Sequence, residues 1–269
     1  VERIFFQEPD AKICVVAYTH ALKDMLHNGI QQEFRDRVRV ITKNEFLSEV
    51  ENEQYDFVVL DEVQDIPKNE LSRIKNRSDT LVVAGDNEQS IFVSKSSSEE
   101  EIIEKLKPDV DQLDTIYRLT PKLKEIVCTI LPNSRIETAR MGRDEKVQIT
   151  LAKANSVDQE IRWVWQECEE RARAREPAVV LFTKHKEIQR FIREICIISG
   201  IPPIEFLSED HESIGETRKR LYQQVNEMFE EIGVPIRYLG NDIGRLRDSE
   251  QQPLTYIMTY HSAKGLDFK

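Results

Sequence analysis

The chain has 269 residues, of which 39% are hydrophobic and 32% charged, and it carries a net charge of −11. That length supplies two hydrophobic cores more readily than one, and no apolar run approaches the roughly 18 residues of a membrane span. There is no signal-peptide pattern, and Cys14, Cys128, Cys168 and Cys196 lie far apart without CxxC spacing. A reduced, cytoplasmic protein is expected.

The acidity is uneven. Residues 1–115 carry 14 Lys+Arg against 25 Asp+Glu, whereas residues 116–269 carry 24 of each. Net charge therefore gives no basic footprint for nucleic acid, though a local track remains compatible with it.

In chain order, Val1 to Gln7 reads as the last turns of a helix without a start signal. Lys12 to Tyr18 reads as a strand, and Ala21 to His27 as a helix. Val38 to Thr42 is a short strand and Asn44 to Glu53 a helix. Within Tyr55 to Pro67, Phe57 to Leu60 is an apolar, β-rich run of the length a buried parallel strand needs. A helix follows around Asn69 to Lys75, then a strand from Thr80 to Ala84. Ser94 to Glu101 is polar and reads as a loop. Val110 to Thr115 can form one more short strand.

A second unit begins near Tyr117. Pro121 suits the first turn of a helix running to Leu131. Val147 to Ala152 reads as a strand and Val157 to Arg175 as a long helix. Trp163 and Trp165 sit two positions apart there, so they point to different sides, and both read as packing residues. Ala178 to Thr183 is a buried strand and Glu187 to Ser199 a helix. Ile204 to Leu207 is expected as a strand, Arg218 to Ile232 as a helix and Ile236 to Leu239 as a strand. Thr255 to Tyr260 is the last strand. Alternating strands and helices predict parallel, helix-flanked sheets.

The chemistry gathers where strands end. In an open α/β sheet, ligands bind beyond the carboxyl ends of the strands. The run 57–60 ends in Asp61, Glu62, Gln64 and Asp65, and the run 80–84 ends in Gly85, Asp86 and Gln89. One acidic turn after an apolar strand is an ordinary surface feature. Two neighbouring strands delivering acids and an amide to one edge suggest a site for phosphate and a divalent metal.

Five such strand ends form a series: AYTHALKDML (17–26), VVLDEVQDIP (58–67), AGDNEQSIF (84–92), IYRLTPKLKEIV (116–127) and TYHSAKGLDF (259–268). In identity, order and spacing the series resembles the motifs of superfamily 1 DNA helicases of the UvrD/Rep type, across nearly the whole chain. The resemblance implies two RecA-like (P-loop NTPase) domains, residues 1–115 and 116–269. ATP with Mg²⁺ would bind in the cleft between them, and single-stranded DNA would cross their tops. Asp61 would hold Mg²⁺, and Glu62 would activate the attacking water. Gln89 would sense the γ-phosphate, and Arg118 would act as an arginine finger. Gly265 and Asp267 fall at the nucleotide, with Asp267 where the family usually has Glu. Tyr18, Thr19, Phe92, Thr259 and His261 would meet the DNA, Tyr18 and Phe92 by stacking on bases.

The sequence departs from the family in four ways. GxxxxGK[ST], the spacing that wraps backbone N–H groups around a phosphate, occurs nowhere among the nine glycines. The family places it upstream of residue 12, and its last motif beyond Lys269. Ser94 stands where the family stacks a Trp. Only 41 residues separate Thr19 from Asp61, and 75 separate Thr183 from Thr259, too few for the family's large inserted subdomains. The expectation is a fragment of a DNA-dependent ATPase motor that is inactive by itself. The rival expectation is a non-hydrolysing helicase-like module that binds DNA or a protein partner.

Overall fold

A computed structural model of the chain describes residues 1–48, 53–90, 97–202, 204, 214–240, 243–245 and 253–266. Its first half runs α1 (Glu2–Gln7), β1 (Ile13–Ala17), α2 (His20–Gly29), α3 (Gln32–Arg35), β2 (Val38–Thr42), α4 (Lys43–Ser48), β3 (Tyr55–Leu60), α5 (Lys68–Lys75), β4 (Ser78–Val83) and α6 (Glu99–Leu106). The four strands form one sheet in the order β2-β1-β3-β4, every pair parallel. All four therefore end at the same edge.

Pleating explains why β1 is apolar throughout. Its alternate residues serve two cores. Cys14 and Val16 pack with Phe46, Val58, Leu60, Leu71 and Ile74 under α4 and α5, while Ile13 and Val15 pack with Phe5, Phe34, Val38 and Val40 on the other face. A strand buried on both faces needs no polar alternation. At the sheet edge β4 is less covered, and its Val82 is exposed.

The second half contains β5 (Thr115–Ile116), α7 (Pro121–Ile130), β6 (Arg140–Met141), α8 (Val157–Arg173), β7 (Ala178–Phe182), α9 (His185–Ile198), α10 (Ile214–Glu231), β8 (Ile236–Tyr238), β9 (Thr255–Thr259) and α11 (Tyr260–Ala263). β5 and β6 make a small parallel pair, and β7-β9-β8 form a parallel sheet with β9 central. One face of that sheet packs on α8, α9 and α10 through Trp165, Phe191, Ile192, Tyr222, Phe229 and Ile257. Its other face carries Tyr256 and Met258, and there Ala21 and Met25 of α2 join the cluster. Leu26 of the same helix packs on the first half's core. The two larger sheets thus share α2 as common packing.

The fold is α/β with parallel sheets, and some of its details differ from expectation. Of the loop expected over Ser94 to Glu101, residues 99–101 instead open α6, because Ser98 and Glu101 form a capping box there. Val147 to Ala152 forms no strand, and Leu151 is 99% exposed. Its apolar residues alternate, but no neighbouring strand pairs with them among the described residues. The strand expected over Val110 to Thr115 is displaced to Thr115–Ile116, beyond the charged stretch that includes Asp109 and Asp111. Helix α4 is described over Lys43–Ser48 and Glu53 is in no helix, while 49–52 of the helix expected over Asn44 to Glu53 lie outside the described residues. Of the strand expected at Ile204 to Leu207, only Ile204 is described, and it is in no strand.

Most other local expectations hold. Pro121 opens α7 behind Thr120, whose hydroxyl accepts the Leu123 N–H. Trp165 is buried as a packing residue, but Trp163, on the other side of α8, is exposed and does not pack in the core as expected. The four cysteines are free. No described helix is long and apolar enough to cross a membrane.

Candidate active site

The turn after β3 is held by its own polar groups. Glu62 adopts the left-handed conformation, φ 54° and ψ 43°, at the mouth of a 3-10 turn over Val63–Asp65. A non-glycine residue there costs roughly 1–2 kcal/mol, so the surroundings must over-determine it. They do so in two ways. Asp61 Oδ1 accepts the Glu62 N–H at 2.9 Å, and the Val63 N–H reaches the Ala84 carbonyl beside β4 at 3.0 Å.

Gln64 ties this turn to the next strand end. It is buried, its Nε2 donates to Glu62 Oε2 at 2.5 Å, and its Oε1 accepts the Asp86 N–H at 3.1 Å. This contact explains Gly85. A Cβ added there would lie 2.4 Å from Gln64 Oε1 and 2.8 Å from a Val63 methyl. Gly85→Ala is therefore expected to push the Gln64 amide out of place and lower stability by about 1–3 kcal/mol. Urea unfolding checks it, and an unchanged midpoint would show that the turn yields freely.

From the second half, Lys264 reaches across. Its Nζ pairs with the Asp65 carboxylate, lies 3.3 Å from Glu62 Oε2 and donates to the Gln89 carbonyl at 2.8 Å. The Lys264, Glu62 and Asp65 side chains are only 8%, 12% and 0% exposed. One Asp65 oxygen, Oδ1, is buried with no hydrogen-bond partner among the described residues. The ends of β3, β4 and β9 consequently share one polar knot, made by residues up to 199 positions apart.

Gly265 follows at φ 80°, and a Cβ there would lie 2.9 Å from Leu22 Cδ2 on α2. Arg118 is exposed and its guanidinium donates to the Gly265 carbonyl at 3.5 Å, the outer limit of a hydrogen bond. Gln89 is exposed too, with its side-chain amide on Asp86 Oδ2 at 2.9 Å. Asp61, Glu62, Gln89, Arg118 and Gly265 are thus linked, directly or through one residue, around Lys264.

The expected strand contacts sit on cap positions. Thr19 caps α2 by accepting the Leu22 N–H at 3.1 Å, and Thr259 caps α11 by accepting the Ser262 N–H at 3.2 Å. The Thr19 hydroxyl can still donate to a phosphate, whereas the Thr259 hydroxyl also meets Ser262 Oγ at 3.1 Å. His261 is exposed. Tyr18 is half-buried against the core under α4 and α5. Burial first, and then the charges of Asp65 and Glu70, push its phenol up to about 12. That places the ring beside the acidic turn as a packing residue with one polar end. Phe92 and Asp267 lie outside the described residues.

The sequence marked Gln64 and Asp65 only as strand-end polar groups and gave Lys264 no role of its own. The usable signal was the setting of Asp65 between Val63 and Ile66. A carboxylate in an apolar turn needs a cation or several donors, but no spacing rule says that residue 264 supplies it.

No protein-family model matches the sequence, and no curated protein does. Among solved structures, the chain is similar to one titled the crystal structure of T4 UvsW, at 12% identity and a TM-score of 0.30. The match covers 98% of this chain and 51% of that one, so the chain spans about half the length of this neighbour. So slight a likeness has no bearing on function.

Proposed function

We propose that the chain forms part of an ATP-dependent DNA helicase or translocase of the superfamily 1 UvrD/Rep type, with its hydrolytic cleft between the two larger parallel sheets. One observation carries this reading. The acids after β3, the Gln89 turn after β4, and Lys264 and Arg118 from the second half meet at one sheet edge. That is where an α/β sheet binds ligands, and it is where the motif series would place a nucleotide.

In this reading Glu62 takes the proton of the attacking water, and its left-handed backbone and Gln64 partner fix where the carboxylate points. Arg118 supplies positive charge from the second half. Gln89 lies in the turn that Lys264 bonds, so its position follows that of β9.

No group of three or more His, Cys, Asp or Glu among the described residues can hold a metal ion by itself, so any Mg²⁺ here would take most of its oxygens from phosphate and water. Asp61 is the carboxylate that would serve, and Mg²⁺ would neutralise phosphate charge there. The phosphate cradle does not fit, because GxxxxGK[ST] is missing from the 269 residues. No step of triphosphate binding is therefore assigned to these residues. The second reading is a non-hydrolysing module that binds DNA or a protein partner, and such a module has no need of Asp61, Glu62, Gln89 and Arg118 together.

Binding of a labelled single strand, followed by fluorescence anisotropy, separates the two. The motor reading predicts weak binding with little base preference and a shallow salt slope, since few cations are present to release counterions. Phe92→Ala should weaken it further by roughly 5- to 150-fold, the usual worth of one stacked base. Tight, strongly sequence-dependent binding would favour a dedicated recognition module.

A further inference from the structure

We infer that Arg135 is a positioning residue: it clamps the Gln89 turn from the second half, so that Gln89 and Arg118 are placed against each other as one unit. The inference rests on the roles proposed above for Gln89 and Arg118, and it adds the contact that couples them.

Two sets of contacts meet at Arg135. Asn87–Gln89 is a 3-10 turn capped by Asp86, whose carboxylate accepts the Glu88 N–H at 3.0 Å and the Gln89 side-chain amide at 2.9 Å. The Glu88 carboxylate in turn crosses to the second half, where both of its oxygens accept the Arg135 N–H at 3.0 Å. The Arg135 guanidinium donates to Glu99 Oε2 at 2.6 Å, at the start of α6. Arg135 itself opens a second 3-10 turn, Arg135–Glu137, capped by Ser134. The chain then enters β6, which pairs with β5, and Arg118 lies just beyond β5. Lys124 of α7 fastens the same unit by donating to the Ala139 carbonyl at 2.7 Å. With Lys264 on the Gln89 carbonyl, the second half thus bonds the turn at two consecutive residues. Charge explains the residue type. Glu99, then Glu88 and Asp86, hold the guanidinium protonated, and a neutral side chain would leave these acids uncompensated. The Arg135 and Glu99 side chains are 59% and 40% exposed, so the clamp contributes little to stability. Its consequence is geometric.

Arg135→Pro tests this, because it removes the N–H and the guanidinium together. Proline suits the position, the first after the cap, and Ser134 before it is already extended at φ −72° and ψ 154°. In the 269-residue chain, amide hydrogen exchange over 87–90 should become several-fold faster in Arg135→Pro, with an unchanged urea midpoint. Arg135→Lys, which keeps the N–H and a cation, should exchange like the wild type. If Arg135→Pro lowers the midpoint, Glu88→Ala removes the acceptor instead and decides in its place. Exchange over 87–90 that stays at the wild-type rate overturns the clamp. In a longer chain that supplies GxxxxGK[ST], Arg135→Pro should lower kcat for DNA-stimulated phosphate release roughly 10- to 100-fold, the effect of a small misplacement. KM for ATP should be unchanged. A raised KM at unchanged kcat overturns the positioning role. A longer wild-type chain without DNA-stimulated release removes the motor reading, and the roles of Gln89 and Arg118 with it, whereas the exchange result still decides the clamp.

Discussion

Lys264→Met is expected to lower the stability of the chain by about 3–5 kcal/mol, the usual cost of removing one partner of a buried ion pair. Asp65 has no exposed side-chain surface and Glu62 little, so neither carboxylate can turn to water when the ammonium is gone. Methionine keeps most of the volume, which isolates the charge. A surface bridge would behave differently, since exposed pairs contribute only about 0–1 kcal/mol. The companion variant decides between the two. Asp65→Asn in the Lys264→Met background removes the stranded charge and should recover a large part of the loss, as neutral replacements of buried pairs do. Urea unfolding of the four members of the cycle gives the coupling. A loss below about 1 kcal/mol for Lys264→Met, on the scale of a solvated pair, would mean that the knot across the two sheets is not a determinant of the fold.

Much of the architecture was legible in the sequence because its strands are buried on both faces. Ile13–Ala17, Tyr55–Leu60 and Thr255–Thr259 are apolar runs bounded by polar ends, and each became a parallel strand. Val147 to Ala152 misled for the opposite reason. Its alternation is genuine, but a strand is a pairing, and the sequence does not name the partner. The sheet order β2-β1-β3-β4 was likewise not written in any local pattern, because it depends on which edge each crossover chooses.

The site was legible as residue types and not as geometry. The strings around Asp61, Gln89 and Lys264 mark strand ends, and parallel sheets do bring strand ends to one edge. The dependence of Gly85 on the Gln64 amide could not be read from spacing, nor could the left-handed turn at Glu62. Both follow from close approach between two neighbouring strand ends. The link from Lys264 to Asp65 spans the two halves, and it exists because α2 packs against both.

The 269-residue chain should hydrolyse ATP no faster than background, even with single-stranded DNA, because it has no phosphate loop to hold the β- and γ-phosphates. In a longer chain that supplies GxxxxGK[ST], turnover should be stimulated by single-stranded DNA. A general base contributes about 10²- to 10⁴-fold, so Glu62→Gln should remove turnover by that factor while nucleotide binding changes little. Steady-state phosphate release by that longer chain, wild type against Glu62→Gln and with and without single-stranded DNA, is the most direct test. DNA-stimulated release that Glu62→Gln abolishes is the predicted result. Release that Glu62→Gln leaves intact, or release indifferent to DNA, would contradict it.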